Sequence, residues 1–190
     1  MSGSTQNQAQ PSQSPSAIVR TDDESSVVAR LKQKIRTDGP ITVASFMDIA
    51  LSDPDGGYYA TRDPLGVAGD FTTAPEISQI FGELVGLWCV DTWQSMGAPN
   101  AFAVVELGPG RGTLMADALR AMRQVSTCHA AASVHLVETS PVLRESQQRM
   151  LADENITWHT SLPDLGRMPA IYIANEFFDA LPIHQYVKLD

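Results

Sequence analysis

Glu106-Leu107-Gly108-Pro109-Gly110-Arg111-Gly112 stands between an apolar run, Ala101 to Leu107, and a segment of helical periodicity, Thr113 to Arg123. Glycines at such a junction let the backbone reverse sharply and let a ligand lie against bare main chain, with the N-terminus of the following helix beneath it. Leu114, Met115, Ala118, Leu119 and Met122 recur at the spacing of one helix face and are expected inside. The alternation continues toward the C-terminus. Val134 to Val137 reads as a strand, Pro141 to Leu151 as a helix, Ile156 to Trp158 as a short strand and Ala170 to Ala174 as a buried strand. Short apolar runs separated by helical periods mark a parallel sheet covered on both faces, so the predicted class is α/β, a doubly wound sheet.

Toward the N-terminus, Thr73-Ala74-Pro75-Glu76 has the form of a capping box with proline in the first turn. Ile77, Ile80, Phe81, Leu84 and Trp88 continue it at helical spacing, which predicts one long helix as far as Gly97. Gly82 and Gly86 each cost that helix about 1 kcal/mol relative to alanine, so a neighbouring element or a ligand is expected to approach its backbone closely. Before it, Asp53 to Asp70 is rich in turn residues and tyrosine and reads as a long ordered loop. Thr42 offers an N-cap to a short helix carrying Val43, Phe46, Met47, Ala50 and Leu51, ended by Asp53 and Pro54. Val27, Val28, Leu31 and Ile35 predict a first amphipathic helix, stopped at Asp38-Gly39-Pro40. Met1 to Ala17 holds neither charged nor aromatic side chains and is expected to be disordered. The expected organisation is a tail over 1–24, a cap of helices and loop over 25–97, and the sheet domain over 98–190.

Composition narrows the partners. The chain has 190 residues, 43% hydrophobic and 18% charged, with a net charge of -9. That sign repels phosphate backbones and anionic lipid, which argues against nucleic acid and membrane surfaces. Cys89 and Cys128 have no paired spacing and read as free thiols, and the scattered histidines suggest no metal site. No apolar run approaches the roughly 20 residues of a membrane-spanning helix. The first 17 or so residues lack the features of a secretory signal or a transit peptide, which makes the cytoplasm the default expectation.

Residues at three further places along the chain belong with the glycine loop. Glu138 closes the run His135-Leu136-Val137, and a carboxylate there can accept from both hydroxyls of a ribose; equally, it is a favourable charge at the start of the helix that Ser140 and Pro141 open. Loops after neighbouring parallel strands emerge on the same sheet edge, which makes Glu138 a neighbour of Gly108 to Gly112. Asn175 and Glu176 follow the strand expected beside the first one and can grip an amino or guanidinium group, whereas Asp179 is as easily a helix cap. Asp164 stands where an adenine amino group could be held, or caps its own loop. A dinucleotide fingerprint is disfavoured, because the third glycine comes one residue early and Thr113 holds its place.

With these pieces in order, the loop resembles the nucleoside-binding loop of class I S-adenosylmethionine-dependent methyltransferases, and the chain is similar to the MidA family among them. The resemblance is carried by Gly57-Tyr58-Tyr59, Asp63 to Gly66 and Gly69 to Glu83, and further by Glu106 to Gly112, Val134 to Glu138 and Asn175 to Pro182. It implies a Rossmann-like sheet, S-adenosyl-L-methionine as cofactor, and Glu106, Gly108, Pro109, Gly110, Gly112, Glu138 and Asp164 as its candidate binding residues. It implies an Asp70 to Gln79 segment lying over the cleft, and a protein substrate: an arginine in a respiratory complex I subunit, in support of complex assembly. Guanidinium is a poor nucleophile that a carboxylate must orient and polarise. Glu176 is the first candidate for that work, Asp70 and Glu76 the second, with Asn175 as an orienting acceptor. Family members extend further, so the sheet is expected to be incomplete after a strand at His184 to Leu189, and this chain alone to be weakly active or inactive. The compartment implied is bacterial cytoplasm, or the mitochondrial matrix in a eukaryote. Two other functions stay open: a non-catalytic cofactor-binding or assembly scaffold that docks a partner through Asp70 to Trp93, and, disfavoured, a nicotinamide-dependent oxidoreductase.

Overall fold

The computed structural model describes residues 26–61 and 73–188. The tail over 1–24, and Asp70 with residues 62–69 of its loop, lie outside them. Four parallel strands form one sheet: β1 (Phe102–Leu107), β2 (Ala132–Val137), β3 (Ile156–His159) and β4 (Ala170–Ile173), in the order β3-β2-β1-β4. Chain order thus reverses at β1, with β2 on one side and β4 on the other, and the crevice at such a switch point is where open α/β sheets hold ligands.

Every residue of β1 is buried, as a central parallel strand requires. Phe102 and Val104 face the larger core, with Cys89, Val90 and Trp93 of helix α5 (Gln79–Ser95) and Leu114, Met115, Leu119 and Met122 of helix α6 (Thr113–Met122). The expected inward face of α6 is buried throughout. Ala103, Val105 and Leu107 face the other way, against Leu165, Met168 and Phe177. That layer is built from segments outside the helices, because the β3 to β4 connection crosses the sheet without a helix.

Gly82 and Gly86 explain how α5 sits. A Cβ at Gly86 would stand 2.3 Å from the Ala118 carbonyl oxygen, and one at Gly82 2.5 Å from Asp117 Cβ. The close approach is that of a neighbouring helix, α6, and not of a ligand. Gly82, Gly86, Cys89, Val90 and Trp93 are the buried stripe; of the face read from the sequence, Phe81 packs partly buried against the core, while Ile77, Ile80, Leu84 and Trp88 are exposed. Backbone contact at the two glycines brings the helices closer than large side chains would allow, so the bulky stripe turns outward.

The expected long helix is also divided. A short helix, α4 (Ala74–Ile77), stops at Ser78, whose extended backbone starts α5 and whose hydroxyl accepts from Ile80 N at 3.3 Å. Nor is Thr73 to Glu76 a capping box, since Thr73 makes no side-chain cap bond and the Glu76 carboxylate is engaged elsewhere. The two N-terminal helices, α1 (Ser26–Asp38) and α2 (Val43–Ser52), form as read, with the Thr42 hydroxyl accepting from Ser45 N at 3.1 Å. The stretch read as a loop from Asp53 contains a helical turn, α3 (Tyr58–Thr61). A helix the sequence reading did not anticipate, α7 (Ser126–Ala131), precedes β2, and α8 (Pro141–Met150) follows it, capped by Ser140. The strand expected at His184 to Leu189 does not form over the described residues: after the turn at Phe178–Ala180 the chain has no regular structure, and Tyr186 and Val187 are exposed.

Candidate functional site

A cleft of about 410 Å³ opens at the C-terminal ends of β1, β2 and β4. It brings together Glu106, Gly108, Pro109, Gly110 and Arg111 after β1, Glu138 and Thr139 after β2, and Asn175, Glu176, Phe177 and Asp179 after β4. Ser52, Tyr59, Thr73, Pro75 and Glu76 border it from the N-terminal segment. The size is that of a small-molecule or cofactor site. Of the residues singled out by sequence, Asp164 is not among those lining the cleft. Its carboxylate accepts from Gly166 N at 3.0 Å, the loop-capping alternative. Gly112 also stands behind the lining, and Asp70 is outside the described residues.

Glu106 is the chemical anomaly of the site. It is 2% exposed, and its Oε2 has no hydrogen-bond partner among the described residues. Burial pushes its carboxyl up to about 8. A buried carboxylate without a donor is costly unless something completes it, and this one lines the cleft. Glu138, by contrast, is well held: Oε1 accepts from Ser140 N at 2.7 Å and Oε2 from Gln147 Nε2 at 3.2 Å. Burial raises its carboxyl, and the bonds from Ser140, Gln147 and Thr139 oppose the rise. Each oxygen still has a lone pair to offer, so the capping and ligand roles are compatible.

The loop takes the left-handed backbone that favours glycine at all three of its glycines, with φ +62° at Gly108, +57° at Gly110 and +90° at Gly112. A side chain is also excluded at Gly108 by packing, since a Cβ there would meet the Phe177 ring at 2.5 Å. Phe177 therefore links the β4 terminus to the loop. Glu76, a candidate carboxylate, is committed to a latch: its Oε1 accepts from the Thr113 hydroxyl at 2.6 Å, and its Oε2 lies 3.6 Å from Arg111 Nη1. It ties α4 to the start of α6 and so closes one wall of the cleft.

Glu176 is one of two non-glycine residues with positive φ among the described residues, at +47°. Such backbone costs a side-chain-bearing residue of order 1–2 kcal/mol and, at a strand terminus beside a cleft, accompanies sites where side-chain direction matters. Replacing Glu176 by Gly is expected to stabilise the protein by about 1 kcal/mol in urea denaturation, by relieving that strain. Tyr59 faces the same end, where burial and the Asp179 charge raise its phenol. Sequence reasoning missed Tyr59 and Gln147. The first stood only as part of a loop, and the second gave no signal beyond a polar residue at an inward helical position.

A parallel α/β sheet whose switch point carries a left-handed glycine loop and paired strand-end acids defines a nucleoside-ligand protein of the Rossmann-like type. Residues 84–190 match the family model described as "Putative S-adenosyl-L-methionine-dependent methyltransferase", and the chain belongs to that family. It is 44% identical over 188 residues to the mouse protein named protein arginine methyltransferase NDUFAF7, mitochondrial, covering 85% of this chain and 43% of that one. The Drosophila melanogaster homolog is 39% identical, covering 95% of this chain and 46% of the relative. Among solved structures, a Burkholderia thailandensis protein crystallised with S-adenosyl-homocysteine matches with a TM-score of 0.68 at 25% identity, over 82% of this chain and 42% of that one. The chain thus spans less than half the length of these relatives. Among the described residues no helix is long and apolar enough to cross a membrane, and no group of three His, Cys, Asp or Glu could hold a metal.

Proposed function

We propose that this chain binds S-adenosyl-L-methionine in the cleft and serves an enzyme that transfers the methyl group to a protein arginine. The observation that carries the reading is Glu106, a buried carboxyl group whose Oε2 has no donor, at the wall of a cleft large enough for a cofactor. The cationic amino group of an S-adenosyl ligand supplies the donor and the charge that this oxygen lacks. Glu138 is set to receive the ribose hydroxyls, and Gly108, Pro109 and Gly110 shape the wall between the two acids. Bound there, the cofactor supplies a methyl group on a sulfonium, transferred in line to a nucleophile.

What remains for the protein is alignment and the fate of one proton. Glu176, exposed at the rim after β4, is the carboxylate proposed to fix and polarise the arginine guanidinium, with the Asn175 amide oxygen as an orienting acceptor. Glu76 is the weaker candidate, because Thr113 and Arg111 already engage it. Asp70 remains a proposal from sequence alone. The family resemblance extends the reading to an arginine of a respiratory complex I subunit, and hence to complex assembly. Of the two compartments expected, the relatives' names favour the mitochondrial one, and the cytoplasmic expectation has no support from them.

Calorimetry of the 190-residue chain with S-adenosylhomocysteine, S-adenosylmethionine and NAD tests the cofactor half. Binding of the first two and not of NAD is expected, and the reverse pattern sinks it. For the catalytic half, Glu176→Gln in a full-length relative is expected to leave cofactor affinity unchanged and lower methylation by roughly 100-fold or more. Unchanged methylation removes Glu176 from the mechanism. A second reading, an assembly scaffold, is favoured by the exposed apolar row Ile77, Ile80, Leu84, Leu87 and Trp88. Absence of cofactor binding together with partner docking on that row would support it.

A further inference from the structure

Gln147 is wholly buried in α8, yet its side-chain amide joins three separate parts of the fold. Its Nε2 donates to the Gly110 carbonyl oxygen at 2.7 Å and to Glu138 Oε2 at 3.2 Å, and its Oε1 accepts from Trp158 Nε1 at 3.0 Å. These partners have fixed polarity: a carbonyl and a carboxylate only accept, and an indole N–H only donates. One amide orientation alone satisfies all three, and Trp158 selects it. Gly112 completes the arrangement. Its φ of +90° is what favours glycine there, and the loop packs on Gln147 at ordinary contact distance, a Cβ at Gly112 standing 3.4 Å from Gln147 Cγ and 3.5 Å from Gln147 Cα.

We propose that Trp158 and Gln147 form a positioning relay that sets the sugar-binding geometry of the cleft: the indole N–H orients the amide, and the amide holds the glycine loop and Glu138 at a fixed separation. Neither residue lines the cleft, so both act through others. Trp158 is in turn fixed by β3, where it pairs with Leu136 of β2, while the backbone N–H of Glu138 donates to the His159 carbonyl at 2.9 Å. The strand farthest from the switch point therefore reaches the nucleoside site through the Trp158 side chain and the His159 carbonyl. The inference rests on the cofactor reading above and adds to it the residues that decide how Glu138 meets a ribose.

Trp158→Phe keeps an aromatic ring and removes the donor, which leaves the Gln147 oxygen unpaired and the amide free to turn its oxygen toward Gly110. Gln147→Glu keeps the shape and replaces the donor by an acceptor beside Glu138. Calorimetry with S-adenosylhomocysteine and its 2′-deoxy analogue, alongside thermal melts, reads both. The wild-type chain should prefer the ribose form by roughly tenfold, the worth of one hydrogen bond to a charged group. Trp158→Phe is expected to weaken S-adenosylhomocysteine by roughly tenfold and Gln147→Glu by more, with the ribose preference falling toward unity in both. A lower melting temperature with unchanged affinity and unchanged preference assigns the pair a purely structural role and overturns the relay. Wild-type protein that binds neither ligand overturns the cofactor reading and the relay with it, whereas a wild type that binds and variants that match it overturn the relay alone. Should Gln147→Glu fail to fold, Trp158→Phe decides by the same readouts.

Discussion

Replacing Glu106 by Gln is expected to make the ligand-free protein more stable and its cofactor binding far weaker. The carboxyl titrates at about 8 in the folded chain against 4.5 when exposed, and burial is the cause. Between those values the folded state holds more protons than the unfolded one. Stability is therefore undiminished below about pH 4.5, falls as pH rises through the interval, and carries the whole penalty above about pH 8. The penalty amounts to several kcal/mol at its limit. The neutral amide does not titrate, so the difference in melting temperature between variant and wild type should grow from near zero at acid pH to of order 5–10 °C at pH 8.5.

Binding should move in the opposite direction. A cationic amino group opposite Glu106 favours the carboxylate, so association at pH 7 should release about one proton from the wild type and none from Glu106→Gln. Titration calorimetry in two buffers of different ionisation heat counts those protons. Removing one member of a buried charge pair should lower affinity by roughly 100-fold. A variant that binds as tightly as the wild type, with the same proton count, would show that Glu106 does not face the ligand.

The second large effect is expected at a helix contact that does not line the cleft. In an isolated helix Gly86→Ala would be favourable by about 1 kcal/mol. In α5 the added Cβ would stand 2.3 Å from Ala118 O and 2.7 Å from Ala118 Cα, which is backbone that no rotamer change can move. Overpacking of this kind costs about 3 kcal/mol, and the helix preference offsets only part of it, leaving a net loss of about 2 kcal/mol in urea denaturation. Adding Ala118→Gly should not restore stability, because the clash is with main chain. Rescue by that second change would place the contact on the side chain instead.

Much of the site was legible in order along the chain. Gly108 to Gly112 after an apolar run, Glu138 after the next, and Asn175-Glu176 after the last are all local patterns, and parallel topology places strand ends on one edge. The inward face of α6 was legible for the same reason, since five apolar residues at one spacing leave a helix little choice. The α5 face was not. Residue size pointed to Ile77, Ile80, Leu84 and Trp88, while the glycines that carry the contact have no side chain to advertise it. Glu76 had the sequence form of a cap, and only the position of Thr113 at the start of α6 shows that its carboxylate is a latch.

The sequence by itself determined the α/β class, the strand and helix alternation and the acids around the glycine loop, because periodicity and turn chemistry are properties of neighbouring residues. Tertiary structure alone decided which of those acids stands buried without a donor, that Asp164 caps its own loop, and that Gln147 and Trp158 reach the site. Burial and hydrogen-bond polarity depend on groups tens of residues apart, and nothing in the local pattern records which of them meet.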